Sequence, residues 1–184
     1  EYKPIFDALG VTDATTDAEF TEKLALRKEN SPEGARRRAA LRAALDAKDY
    51  EFNAQGTEIG HFYNSTAVVT DGKARPELTQ DAMLHHQKST CPGLRLPHAW
   101  LGDAKEKYST HDIAKGTCFT IFTGITGQAW ADAAVNVSKR LGIDIKAVVI
   151  GEGQKVQDLY GDWLRQREVD EDGLILVRPD KHIG

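Results

Sequence analysis

Cysteine is nearly absent from this sequence: Cys91 and Cys118 are the only two. Two isolated thiols make no disulfide framework, and no C-x-x-C pair exists to carry redox chemistry or zinc. No stretch approaches the ~20 consecutive apolar residues of a membrane-spanning helix, and no short apolar run follows a basic start as in a leader peptide. A basic excess is missing too. The 24 Lys and Arg stand against 28 Asp and Glu, a formal net charge of -4. The charge is evenly spread, with 15 basic against 17 acidic residues up to Tyr108 and 9 against 11 beyond it. Nucleic-acid binders carry a basic tail or stripe, so that class is excluded along with a membrane-embedded one. The sparse cysteine predicts a cytosolic, cytoplasmic location. Methionine occurs once, at Met83, and position 1 is Glu. The abrupt opening on Glu1-Tyr2-Lys3-Pro4 and the stop at His182-Ile183-Gly184 predict a piece of a longer protein.

What is present suffices for a packed fold. The chain has 184 residues, 40% hydrophobic and 28% charged, which predicts one domain or one domain with an appendage. Its first half reads as helical and then irregular. Asp17 can cap a helix to about Glu29, and Ser31-Pro32-Glu33 is a second start, with a capping hydroxyl, proline at the first helical position and a carboxylate at the positive end. The helix after it carries Arg36, Arg37, Arg38 and Arg42, which read as a solvated face rather than a phosphate patch. Thr66 to Thr70 is a short strand candidate before the Asp71-Gly72 turn. Residues 75 to 97, with Pro76, Pro92 and Pro97, read as loop. So long an irregular stretch predicts shaping by a larger body.

From Ser109 on the pattern sharpens. Cys118 to Thr123 predicts a strand and Gly124-Ile125-Thr126-Gly127 a turn. Trp130, Ala133, Ala134, Val137 and Leu141 form a stripe of helical period that ends at Gly142, with Trp130 expected beneath the helix. Ile145 to Ile150 predicts a strand buried on both faces, parallel to the first. A helix from about Val156 to Arg167, a strand over Leu174 to Val177 and a turn at Pro179-Asp180-Lys181 into one more strand complete the expectation.

Four constellations could carry chemistry. His85, His86, Cys91 and His98 hold metal-capable atoms, but their spacing fits no zinc or iron pattern, so no metal site is expected. Gly151-Glu152-Gly153 follows a strand as a dinucleotide fingerprint would, yet Val156 stands where the third glycine belongs, and a turn is expected. Cys118 opens a strand, whereas a reactive cysteine of a thioredoxin-like fold sits in the turn after it, so thiol chemistry is excluded. The stretch Pro92 to Leu101 holds Arg95, Pro97, His98 and Trp100: a stiff loop presenting a cation, a titratable ring and an indole. A generic loop and a functional one are both open for it.

Several stretches together resemble one family, the FAD-dependent aromatic hydroxylases of the phenol and 2,4-dichlorophenol monooxygenase type. They are Pro4-Ile5-Phe6-Asp7-Ala8-Leu9-Gly10, Ser31-Pro32-Glu33-Gly34, Tyr50-Glu51-Phe52-Asn53-Ala54-Gln55-Gly56, Pro92-Gly93 to Leu101, Ser109-Thr110-His111-Asp112, Phe119 to Trp130, Tyr160-Gly161-Asp162-Trp163 and Leu176 to Ile183. The resemblance implies an α/β chain: a mainly helical and irregular end of the flavin domain over 1–108, then over 109–184 a thioredoxin-like domain without C-x-x-C, built as a parallel βαβ followed by a helix and a β-hairpin. It implies a parent enzyme that uses FAD, NAD(P)H and O2 to hydroxylate a phenolic ring. The FAD-cradling glycines and the substrate-activating side chains belong to segments not in this sequence, so no catalytic residue and no bound cofactor are expected here. Expected partners are the rest of the hydroxylase chain and, for the parent, an aromatic substrate, with a homodimer left open. Arg95, Pro97, His98 and Trp100 are expected at the domain junction or pocket edge. The alternative is a non-redox thioredoxin-like interaction or dimerisation module without chemistry of its own.

Overall fold

A computed structural model describes residues 2–103 and 105–184. The chain falls into two compact units, Glu1–Ala54 and Gln55–Gly184. The first is helical: α1 (Lys3–Leu9), α2 (Asp17–Ala25) running into a 3-10 turn at Leu26–Lys28, α3 (Pro32–Asp46) and α4 (Asp49–Phe52). The Ser31 hydroxyl accepts from the Gly34 amide at 3.0 Å, as its place before Pro32 predicts. At α2 the cap is Thr16 rather than Asp17, with the Thr16 side chain accepting from the Glu19 amide. The arginines of α3 work inside this unit. Arg36 and Arg37 pair with Glu33, Arg37 also reaches the Leu9 carbonyl, and Arg38 holds the carbonyls of Arg27 and Glu29.

The second unit opens with α5 (Gln55–Ile59) and a long irregular stretch before its first strand. The strand expected over Thr66 to Thr70 is absent. Ser65 bends the chain instead, its carbonyl accepting from the Val68 amide and its hydroxyl from that of Ala67. Then come β1 (Trp100–Gly102), β2 (Lys107–Ser109), α6 (Thr110–Ile113), β3 (Phe119–Thr123), α7 (Gln128–Leu141), β4 (Ile145–Val149), β5 (Gln157–Asp158), α8 (Asp162–Gln166) and β6 (Leu174–Val177). They form two three-stranded sheets, ordered β2-β1-β5 and β4-β3-β6. In the second sheet β4 runs parallel to β3, Phe119 opposite Ile145, and β6 runs antiparallel on the other side. Beyond β6 the chain turns at Lys181 (φ 67°), and Ile183 bridges back to Val177. This is the α/β order expected from the sequence: parallel βαβ, a helix, then an antiparallel return.

The core of this unit joins Leu96, Ala99 and Leu101 with Ile113, Phe122, Val148, Ile150, Trp163, Ile175, Val177 and Ile183. The Pro92–Leu101 stretch is therefore no free loop. Leu94 and Leu96 point inward, and residues 93–96 are laced to the chain end: the Gly93 amide donates to the Ile183 carbonyl, Ile183 to Leu94 and Leu96 to Lys181. Gly93 (φ 93°) is required there, because a Cβ would lie 2.3 Å from the Tyr63 carbonyl oxygen.

Three further expectations are corrected. Trp130 is 43% exposed. The buried side of α7 runs through Ala134, with Ala131 and Ser138 half-buried, so small residues let the helix pack on β3 and β4, while the Trp130 indole lies to the flank and donates to the Asp172 carbonyl at 2.7 Å. The β4 strand is buried only at Val148, because it is an edge strand with one neighbour. The helix expected from Val156 shrinks to Asp162–Gln166, since Val156 bridges to Ile150 and Gln157 and Asp158 pair with β1. β1 pairs with β5, and residues 55–108 stand in one compact unit with residues 109–184.

Candidate functional site

The laced segment sets the geometry of the four candidates. Pro97 is fully buried and Arg95 is half-buried, its backbone bridged to His182. His98 is exposed and stands edge-on to Trp100 of β1, ring centroids 4.8 Å apart. On its other side His98 stacks parallel to His111 at 6.3 Å. The Lys107 ammonium sits 4.5 Å from the centre of the Trp100 ring and 5.9 Å from that of Tyr160, an attraction between a cation and ring quadrupoles. The structure thus brings Arg95, His98 and Trp100 onto one stretch of surface, and adds His111, Lys107 and Tyr160.

His111 sits there because Ser109 and Asp112 form a reciprocal capping box that starts α6. Burial, then the charges of Lys181, Arg95 and His98, lower its pKa from 6.5 to about 4, so the ring is neutral at pH 7. His86 and His182 are also lowered, first by burial, and each feels Arg95. The Arg95 charge thus opposes protonation of all three histidines, and its guanidinium has no hydrogen-bond partner among the described residues.

A prediction follows for His111. The folded chain resists a proton that the unfolded chain accepts near 6.5. The stability is whole above that pH and is lost as the pH falls towards about 4. Urea midpoints taken between those limits should fall less steeply in His111→Gln. Parallel curves for the two chains would contradict the assignment.

Asp112 is engaged in the cap, no serine or cysteine accompanies the two histidines, and no carboxylate orients either ring, so a nucleophile–base pair is lacking among the described residues. No three His, Cys, Asp or Glu side chains among the described residues converge as a metal centre requires.

The two glycine turns that follow strands are closed by contacts of the chain itself. The turn before α7 is filled by the chain itself: the Glu171 carboxylate takes the Ile125 amide at 3.1 Å and pairs with Arg167, and a Cβ at Gly124 would lie 2.5 Å from the Glu171 carbonyl oxygen. Gly151-Glu152-Gly153 closes a tight turn, with the Gly151 amide on the Val156 carbonyl and the Gln154 amide on the Gly151 carbonyl, and leads into β5 rather than a helix. In the first turn the amides of Ile125 and Gly127, and in the second those of Gly151 and Gln154, are thus already engaged within the chain.

Sequence reasoning missed His111, although it stands in the quoted Ser109–Asp112 stretch. The capping-box spacing was the available signal. It also missed Thr110, buried beneath this surface, and Lys181, which the fold brings to His111.

Comparison with known proteins places this geometry. Residues 89–184 match the family model described as Aromatic-ring hydroxylase, C-terminal. A phenol 2-monooxygenase of Pseudomonas sp. (strain EST1001) is 88% identical over 184 residues, covering 100% of this chain and 30% of its own. A 2,4-dichlorophenol 6-monooxygenase of Delftia acidovorans is 42% identical over 183 residues, 31% of its length. The crystal structure of the flavin-dependent monooxygenase PieE in complex with FAD and substrate superposes with a TM-score of 0.72 at 39% identity, over 98% of this chain and 31% of that one. This chain therefore spans about a third of the relatives it matches.

Proposed function

The chain belongs to the aromatic-ring hydroxylase family through its C-terminal region, and on that premise we propose that it is the C-terminal part of an FAD-dependent enzyme that hydroxylates a phenolic ring with NAD(P)H and O2. The observation that carries the reading is the unbroken 88% match to a phenol 2-monooxygenase over 100% of this chain. In that enzyme the flavin is held by segments outside this sequence, and its chemistry is the cofactor's own. The part described here supplies packing and positioning.

Arg95, Pro97, His98 and Trp100 lie, in this proposal, at the junction with the flavin-bearing part, at the edge of the route to the pocket. The support is physical: Arg95 has no hydrogen-bond partner among the described residues, and buried Pro97 with the laced backbone holds its neighbours at low entropic cost. A carbonyl or carboxylate from the rest of the chain would complete Arg95, a charge-assisted contact worth about 1.5–3 kcal/mol.

The second reading is a non-redox interaction or dimerisation module. Glu171 favours it, since that carboxylate occupies the turn where a thioredoxin-like fold does its chemistry.

Expression of the full-length parent tests both. It should purify yellow and oxidise NAD(P)H in response to phenol, whereas the 184-residue chain alone should keep no flavin through gel filtration. Arg95→Ala and His98→Ala in the parent should lower the melting temperature, the turnover, or both. A colourless parent without phenol-dependent oxidation would leave the module reading, and wild-type values in both variants would remove the loop from the junction.

A further inference from the structure

The free edge of β4 carries an assignment of its own. In the parallel ladder the Phe119 amide donates to the Asp144 carbonyl and the Ile150 amide to the Thr123 carbonyl. Even-numbered residues of β4 therefore turn their backbone groups to β3, and Ile145, Ala147 and Val149 turn theirs outward. The Ala147 amide and carbonyl and the Val149 amide have no partner among the described residues. On the far side of β6 the edge is covered at Leu176 and Val177 by Gly184 and Ile183, and beyond the C-terminal end of β4 Val156 bridges to Ile150, so among the described residues the open stretch of the β4 edge runs from Ile145 to the Val149 amide.

That edge borders a groove of about 610 Å3, walled by Ala147, Val148 and Val149 on one side and by Tyr108 and Ile113 on the other. Lys115, Lys146 and Lys155 line it, and none of them is in an ion pair among the described residues. Lys146 reaches only the Ile113 carbonyl, at 3.3 Å. Of the two carboxylates in the lining, Glu106 and Asp112, the second is engaged in the α6 cap. The groove thus has unpaired backbone groups along one wall and three ammonium groups to two carboxylates in its lining, in a chain of net charge -4.

We propose that this groove receives an extended, acid-bearing segment of the parent enzyme from outside these 184 residues, added to β4 as a fourth strand of the sheet. The inference rests on the reading of the chain as part of a longer hydroxylase. Backbone pairing along β4 supplies the binding, as in strand addition generally, and carboxylates opposite Lys115 and Lys155 set the register. The relatives supply ample chain, since this sequence covers 30% and 31% of two of them. A second copy is the poorer occupant, because β4 against β4 would bring the three lysines of each copy face to face.

The test is hydrogen exchange resolved to single amides on the full-length parent, with phenol-dependent NAD(P)H oxidation assayed in the same preparation. Ala147 and Val149 should exchange about 100-fold or more slower than unpaired amides, equally at high protein and after twenty-fold dilution (about the range expected of a paired strand). Lys115→Glu with Lys155→Glu should speed that exchange about tenfold or more. Fast exchange in an active enzyme overturns the proposal and makes the lysines edge guards against stray pairing. Protection lost on dilution overturns it in favour of a second copy, and protection indifferent to the charge reversal overturns the acidic occupant. Loss of phenol-dependent oxidation in the unmodified parent would instead strike the hydroxylase reading itself.

Discussion

Replacing Phe122 with Ala should destabilise the Gln55–Gly184 unit by about 3–5 kcal/mol, the range for emptying a fully buried aromatic site. Phe122 is 0% exposed in the central strand β3, between β4 and β6. Its ring centroid lies 5.3 Å from that of Trp163, tilted by 56°, and Val148, Ile175 and Val177 belong to the same cluster. Truncation would leave a void bounded by side chains from both neighbouring strands and α8, all held by hydrogen-bonded backbone, so little collapse can fill it. The loss approaches the total stability of a small domain. Phe122→Leu, which keeps most of the volume, should cost no more than about 1.5 kcal/mol. Urea titration of the three chains measures both. A loss under about 1 kcal/mol for the alanine variant would mean that the sheet does not close over that ring.

What could be read from the sequence divides along physical lines. β3, α7 and the parallel β4 were legible because each announces itself within a few residues: a β-branched and aromatic run, a helical stripe, a glycine at the left-handed cap. The start of α3 was legible at Ser31 for the same reason. Trp130 was misplaced because helical period identifies a face only to within about one residue step of 100°, and here alanines and a serine, not the indole, were selected for close packing on the sheet. The helix expected from Val156 failed because a short apolar run reads alike as helix or strand, and the pairing partners, Ile150 and β1, lie elsewhere in the chain. The surface around His98 shows the same limit. Proline spacing announced a stiff segment, but its stiffness comes from lacing to residues 181–183, nearly ninety positions on, which no local pattern encodes. Lys181 joins the site through that long-range pairing, whereas His111 is placed by the local Ser109–Asp112 cap and by the Thr110 bond to Ala99.

One buried hydroxyl holds this arrangement, and its removal is the second large effect expected. Thr110 is 0% exposed. Its Oγ1 donates to the Pro97 carbonyl at 2.7 Å and accepts from the Ala99 amide at 3.2 Å, while its own amide donates to the Ala99 carbonyl at 3.0 Å. His98 is thereby clamped from both sides, and its neighbour in the stack, His111, is the very next residue. Thr110→Val keeps the shape and deletes the hydroxyl, leaving a buried carbonyl and a buried amide without partners. At about 1–3 kcal/mol for each orphaned group, a loss of about 2–4 kcal/mol is expected after partial relaxation. Thr110→Ser, which retains the oxygen, should recover most of it. The site should register the change separately from stability. With the 97–99 backbone released, water reaches His111, and its pKa should climb from about 4 back towards 6.5 in the valine variant, read from the imidazole proton resonances under conditions where the chain is still folded. A valine variant that unfolds earlier but leaves the His111 titration in place would make Thr110 a core residue only. One that shifts the titration and is restored by serine makes it the residue that positions the His98–His111 pair.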